Sequence, residues 1–328
     1  MSAAERKGES CGGRPKWLLP TFSLEFALAL FLLFVGWRLA HTAKPSLSTE
    51  VRAFTRLAWV TRSGQAIDSI DLSGRYIMPR LNQTEHSILL TKVKPGETRI
   101  WSVSINNWQL HTPLPNNASA AFAVWSPDRD RFAFSRWNGD QAAIFEAAHQ
   151  GSSIRLLFKV DDWSNISESW SPDGRWLAFT RRQAEKSQLW LLDVKIRKAH
   201  CLLESASALS EARFSPDGEY VALTRTAEGS DDVYMAPIDL TKDTPVLQES
   251  ELIRISPDGG HSPEWGADSN ELFYIGSDRV LMAWHRDSSA VNKLFAFSSI
   301  GSYRYISGGY CFVPERNAFI VSLELIVH

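Results

Sequence analysis

With 328 residues the chain could hold two average domains. Its 35 Lys and Arg against 37 Asp and Glu leave a net charge of −2, so no global basic field favours nucleic acid and no run of like charge marks a tail.

Residues 1–16 read as a short cytoplasmic tail. Within it Gly8-Glu9-Ser10-Cys11-Gly12 has the G-x-S-x-G spacing of a nucleophile elbow. That motif needs a strand before it, a helix after it, and a later acid and histidine on the same scaffold. None of this context is present, so the match is chance and no catalytic residue is assigned. Residues 17–39 are apolar over nearly the length that crosses a bilayer, with Trp17 and Trp37 where interfacial aromatics belong. One transmembrane anchor helix is expected. Glu25 is its defect, tolerable near one end by protonation or by reaching the headgroups. Cleavage after Ala43 would put His41 at a position that calls for a small residue, so the anchor is expected to stay. Arg6, Lys7, Arg14 and Lys16 precede the span, whereas Arg38 and Lys44 follow it. This bias predicts a single-pass protein of the bacterial inner membrane with its main domain in the periplasm. Residues 40–54 are a linker.

Two strands follow, Leu57–Arg62 and Ala66–Leu72, about a Ser63-Gly64 turn. From there a unit of about 45 residues recurs. Its clearest copies are WSPDRDRFAFSR from Trp125, WSPDGRWLAFTR from Trp170 and FSPDGEYVALTR from Phe214; worn copies start at Leu81, Trp265 and Phe312. In Ser171-Pro172-Asp173-Gly174 the proline presets φ, the aspartate bonds back to nearby amides, and the glycine accepts the left-handed conformation of a short hairpin. Arg175–Thr180, Gln188–Val194 and Ala199–Leu203 then supply the next three strands of a four-stranded blade. Ser256-Pro257-Asp258-Gly259 imitates a repeat start, but the strand that should follow is Glu271–Ile275, so the fifth repeat begins at Trp265 and residues 256–261 fall in the loop leading into it. The sixth copy has room for two strands only. Residues 55–72 match the missing pair, and an open ring would expose strand edges, so residues 55–328 are expected to form one all-β, six-bladed propeller whose last blade joins both ends of the domain.

WSPDGRWLAFTR and FSPDGEYVALTR resemble the WD40-like (PD40) repeats of the TolB family. Ile255–Trp284 is similar to the last blades of TolB-like periplasmic propellers that some bacteria attach through one transmembrane helix to Ser/Thr kinases or winged-helix regulators, and RLAWVTRSG from Arg56 resembles their opening strand. The resemblance implies a six-bladed TolB-like β-propeller. TolB itself is secreted and carries an α/β domain ahead of its propeller, whereas about 15 residues separate this span from the first strand; Pal binding is therefore not carried over. A tail of about 16 residues is too short for a kinase or a winged helix, so a signalling output is expected from a partner.

Loops joining one blade to the next gather at one mouth of the channel. They make Asp162, Trp163, Glu168, Glu211, His261 and Glu264 the candidate ligand-binding residues, with a periplasmic protein, peptide or glycan as partner. The unequal offsets of Glu168, Glu211 and Glu264 from their repeat starts argue against a shared role. The eight histidines do not recur at equivalent positions, and no His/Cys cluster has metal-ligand spacing. No metal, cofactor or catalysis is expected, and the binding-module reading is favoured over a propeller enzyme such as a polysaccharide lyase or hydrolase. Cys201 and Cys311 lie on blades across the ring, too far apart to pair.

Overall fold

The computed structural model describes residues 54–325 apart from 83–85, 116–118, 150, 152, 185 and 301–302. The expected tail, membrane span and all but the last residue of the linker lie outside the described residues. Among the described residues no helix is long and apolar enough to cross a membrane.

The turn chemistry read from the sequence is what starts each hairpin. Ser171 Oγ donates to Asp173 Oδ1 at 2.5 Å and accepts the Trp176 N–H at 2.8 Å, while the same carboxylate oxygen accepts the Arg175 N–H at 3.0 Å. Gly174 sits at φ 70°, where a side chain would be strained. Ser215, Asp217, Glu219 and Tyr220 repeat this arrangement.

The strands form six antiparallel four-stranded sheets among the described residues. Blade 1 is β3 (Arg75–Asn82), β4 (Ser87–Lys94), β5 (Glu97–Ser104) and β6 (Leu110–His111). Blade 2 is β7 (Ala120–Trp125), β8 (Arg131–Asn138), β9 (Gln141–Ala148) and β10 (Ile154–Phe158). Blade 3 is β11 (Ser164–Trp170), β12 (Trp176–Gln183), β13 (Lys186–Asp193) and β14 (Lys198–Glu204). Blade 4 is β15 (Ala208–Phe214), β16 (Tyr220–Ala227), β17 (Ser230–Pro237) and β18 (Ile253–Arg254). Blade 5 is β19 (Gly260–Trp265), β20 (Glu271–Gly276), β21 (Val280–His285) and β22 (Val291–Ala296). Blade 6 closes the ring: β23 (Tyr303–Val313) and β24 (Ala318–Leu325) are completed by β1 (Phe54–Thr61) and β2 (Ala66–Ser73), with Phe54 opposite Leu325 and Thr61 opposite Ala318.

Each blade buries both faces of its sheet against its neighbours. Six apolar clusters fill the six seams; the one between blades 3 and 4, for example, packs Trp176, Leu189, Leu202 and Leu209 against Phe214, Val221 and Leu223. The seams on either side of the composite blade are as well filled, by Phe273, Phe295 and Phe319 on one side and by Leu57, Trp59, Tyr76 and Ile88 on the other. Burial of this kind contributes roughly 25 cal/mol per Å², so the closing blade is held by side-chain packing as well as by its β1–β24 ladder.

Ser256-Pro257-Asp258-Gly259 is not a repeat start, as read from the strand pattern. Ser256 Oγ accepts the Val233 N–H at 2.8 Å and fastens the loop to blade 4. The loop stops two residues earlier than the 256–261 expected, and His261 lies within β19. Gly260 allows it: a Cβ there would stand 2.7 Å from the Tyr274 ring, so only glycine lets the backbone begin its ladder that close to β20.

Candidate functional site

The innermost strands, β3, β7, β11, β15, β19 and β23, run the same way along the channel, from the loop that leads into each blade to the turn after its first strand. Four carry a two-residue bulge whose first residue is left-handed: Met78 at φ 59°, Phe122 at 57°, Glu211 at 57° and Ser262 at 56°. Non-glycine residues avoid this region because Cβ crowds the following carbonyl, and bulges re-aim side chains. In blade 3 the register skips Glu168 alone. A strict alternation of in and out therefore fails along the channel wall, and residues at unequal offsets come to face one another.

The result is a cavity of about 420 Å³ at the end of the channel that bears the Ser-Pro-Asp turns. Each blade contributes the residue just before its repeat start: Arg80, Val124, Ser169, Arg213, Glu264 and Cys311. Glu168 joins them. Toward the middle of the channel the space shrinks to a void of about 10 Å³ walled by residues that include Glu211, Ser262 and Tyr310.

The repeat tryptophans hold this wall in place. Trp125 Nε1 donates to the Arg80 carbonyl at 3.1 Å, Trp170 Nε1 to that of Val124 at 3.2 Å, and Trp265 Nε1 to that of Arg213 at 3.0 Å. Each is a rung between neighbouring blades. Phe214 cannot donate, and beside it the Arg213 guanidinium bonds the Glu168 carbonyl at 2.8 Å instead.

Arg213 stands between two carboxylates, with Glu168 Oε2 and Glu264 Oε2 each 3.6 Å from its nitrogens. Glu168 also accepts the Thr180 hydroxyl at 2.7 Å. Burial pushes the Glu168 carboxyl above its ordinary value, with Glu211 adding to the rise and Arg213 and Thr180 opposing it. For Glu211 burial acts the same way but is outweighed. His261, the Thr224 hydroxyl at 2.7 Å, the Ser262 N–H at 2.7 Å and Arg213 hold that carboxyl below its ordinary value. Ser262 Oγ bridges Glu211 Oε1 at 3.0 Å and His261 Nδ1 at 2.9 Å, and its carbonyl accepts the Tyr310 hydroxyl at 2.7 Å. This is a serine, a histidine and an acid in contact, but the carboxylate bonds the hydroxyl itself, and Ser262 is only 7% exposed. Burial, then Glu264, pushes the Cys311 thiol up to about 12, so it faces the cavity uncharged. Cys201 and Cys311 are both free thiols.

Of the residues singled out in the sequence, Glu168 and Glu264 line the cavity, Glu211 lies deeper, and His261 is buried beside it at 5% exposure. Asp162 and Trp163 sit at the opposite end of β11 from its turn, about 20 Å away at the strand rise of ~3.3 Å per residue; Asp162 is exposed and the Trp163 ring stacks on Arg181 at 4.3 Å. Sequence reasoning missed Arg80, Arg213 and Ser169. It also passed over a hydroxyl ten residues after the repeat start: Ser135 accepts the Ser167 N–H at 2.9 Å, Thr180 and Thr224 bond the channel glutamates, and Ser322 donates to the Tyr76 carbonyl at 2.6 Å. That recurrence was visible in the repeats.

Among the described residues no group of three or more His, Cys, Asp or Glu could hold a metal ion. No curated protein sequence matches the chain. Among solved structures it is similar to a putative TolB from Agrobacterium tumefaciens, at 15% identity and TM-score 0.67 over 85% of this chain and 100% of that one. It is also similar to an auxiliary nutrient binding protein from Bacteroides thetaiotaomicron, at 11% identity and TM-score 0.58 over 86% and 78%. A third likeness is to TolB from Acinetobacter baumannii, at 14% identity and TM-score 0.50, where the match covers 84% of this chain and 64% of that one. At these identities the likeness shows the fold. The family model of the TolB β-propeller domain, PD40, matches residues 123–283, the stretch that holds the clearest repeats, and the chain is a TolB-like six-bladed β-propeller with PD40 repeats over that stretch.

Proposed function

We propose that this protein is a binding module, a sensor or scaffold anchored in the bacterial inner membrane with its propeller in the periplasm, and that it receives a protein, peptide or other envelope ligand in the cavity at the turn-bearing end of its channel. The observation that carries this reading is the cavity itself. Six blades each place one residue on its wall, tryptophan rungs fix the backbone of three of these, and both signs of charge face a space large enough for a small ligand or the tip of a larger one. Preset walls favour binding because little ordering remains to be done on association.

A photo-crosslinking residue at Pro216, exposed on the rim, is expected to capture a partner from the cell envelope, whereas the same group at Asp162, at the other end, is not. Capture from Asp162 alone would move the site to the opposite mouth. Turnover of a polysaccharide or peptide by the purified protein would replace the binding reading with an enzymatic one. A periplasm-active reporter fused after His328 is expected to be active, and activity of a cytoplasm-only reporter there would overturn the topology.

A further inference from the structure

The cavity carries both signs of charge. Arg213 belongs to blade 4 and has a glutamate on each side, Glu168 from blade 3 and Glu264 from blade 5. Arg80 belongs to blade 1, directly across the ring, and its neighbours at the same repeat position are Val124 and Cys311, one apolar and the other a neutral thiol. The Arg80 side chain has one hydrogen bond among the described residues, to the carbonyl of adjacent Pro79 at 3.1 Å, and no ion pair. A guanidinium has five N–H donors, so most of its capacity is unused. Burial, and then the like charge of Arg213, hold Arg80 below the ordinary guanidinium value against the attraction of Glu264 and Glu168. Its backbone is fixed from the next blade by the Trp125 rung.

Glu264 shows the complementary shortage. Its carboxylate has an ion-pair contact with Arg213 at 3.6 Å, beyond hydrogen-bond length, and no hydrogen bond among the described residues. Its side chain is 24% exposed. A carboxylate accepts up to about four hydrogen bonds, so acceptor capacity on blade 5 is also unused. Arg213 Nε and Ser169 Oγ, also in the cavity wall, lack hydrogen-bond partners among the described residues. Unsatisfied polar groups are few in a folded protein and call for an explanation.

We propose that the cavity binds a small zwitterion, a free α-amino acid or a short unblocked peptide, with its carboxylate on Arg80 and its ammonium on Glu264. The inference rests on the binding reading above and deepens it. An anion alone would leave the acceptor capacity of Glu264 unused, and a cation alone would leave the donors of Arg80 unused; a ligand with one charge of each sign uses both. A volume of about 420 Å³ admits up to roughly three residues, within the lower range of ligand pockets. Charge-assisted hydrogen bonds at each end then make both termini of the ligand determinants of specificity.

The test uses the full-length chain and an equimolar mixture of free amino acids with a random tripeptide library, offered as such, C-terminally amidated, or N-acetylated, with retained species counted by mass spectrometry. The unblocked species are expected to be retained at least tenfold over either blocked form. Arg80→Met is expected to abolish discrimination against the amide while keeping that against the acetyl form, and Glu264→Gln the reverse. Arg80→Lys, which keeps the charge, is expected to preserve the preference for the acid and guards against a folding defect in the first variant. Equal retention of the amidated library by the wild-type protein overturns the role of Arg80, and equal retention of the acetylated library overturns that of Glu264; in either case ligand capture by the cavity still stands. Retention of nothing overturns the zwitterion assignment outright, and crosslinking from Pro216 then decides the binding reading by itself.

Discussion

Glu211 and Glu264 are inner-strand carboxylates of adjacent blades, and they have opposite surroundings. Glu211, toward the middle of the channel, accepts from the Thr224 hydroxyl, the Ser262 N–H and the Ser262 hydroxyl, while Tyr310 secures the Ser262 carbonyl behind it. Glu264, nearer the turn-bearing end, has a loose ion pair and open space in front of it. Buried polar groups are costly unless satisfied. Saturation in the middle of the channel thus builds a brace across blades 4, 5 and 6, and capacity left over at the end builds a place for something else to bind. The same residue type is structural or functional according to how many partners the fold supplies.

That contrast breaks first at Glu211. Glu211→Leu removes the acceptor from three donors and is expected to lose about 3 kcal/mol of stability, read from denaturant unfolding. Glu211→Gln keeps one acceptor and is expected to lose less, with a characteristic pH dependence. A carboxyl held low in the fold contributes stability that is fully present above its unfolded value, near 4.5, and is lost as pH falls through the lower folded value. The deficit of the Gln variant should therefore shrink in acid; a deficit that stayed constant would mean that Glu211 acts by shape and not by charge.

The rungs between blades should respond next. Trp170→Phe deletes one interblade hydrogen bond and part of a buried ring, and is expected to lose about 1–2 kcal/mol. Tyr310→Phe, which deletes one hydroxyl from the brace, is expected to lose about 1 kcal/mol. Equal stability of the Trp170 variant and the wild type would show that the rung is incidental to packing that the ring alone provides.

The repeats made the fold legible because the same turn chemistry recurs at Ser126, Ser171 and Ser215, and because strand spacing exposed the false start at Ser256. Closure by residues 55–72 was legible for the same reason: the segment, which forms β1 and β2 over 54–73, carries two strands that the sixth repeat lacks. The site was less so. Glu168, Glu211 and Glu264 were visible as residues, but their unequal offsets suggested unrelated roles, since the bulges that realign them depend on left-handed residues such as Glu211 and Ser262 that no local signal announces. Arg80 was hidden by the most worn of the early repeats. Trp163 drew attention as an aromatic in a loop, yet it stacks on Arg181 of the next strand, β12, whose pairing register with β11 brings the two side chains together.

The smallest effect is expected at Glu168, and its sign is what matters. Burial raises this carboxyl above its ordinary value despite Arg213 and Thr180, so the folded state holds the proton more tightly than the unfolded one does. The ionised form therefore lowers stability at neutral pH, and acid relieves that cost. Glu168→Gln resembles the protonated state and can still accept from Thr180. It is expected to leave stability unchanged or raise it by up to about 1 kcal/mol at neutral pH, with the difference vanishing once the pH falls below 4.5, the value for an unperturbed glutamate. A loss of more than about 2 kcal/mol at neutral pH, in the range for breaking a buried pair, would show that attraction to Arg213 outweighs burial. Glu168 would then belong with Glu211 as part of the brace, and the boundary between the saturated and the open parts of the channel would lie one residue nearer the turns.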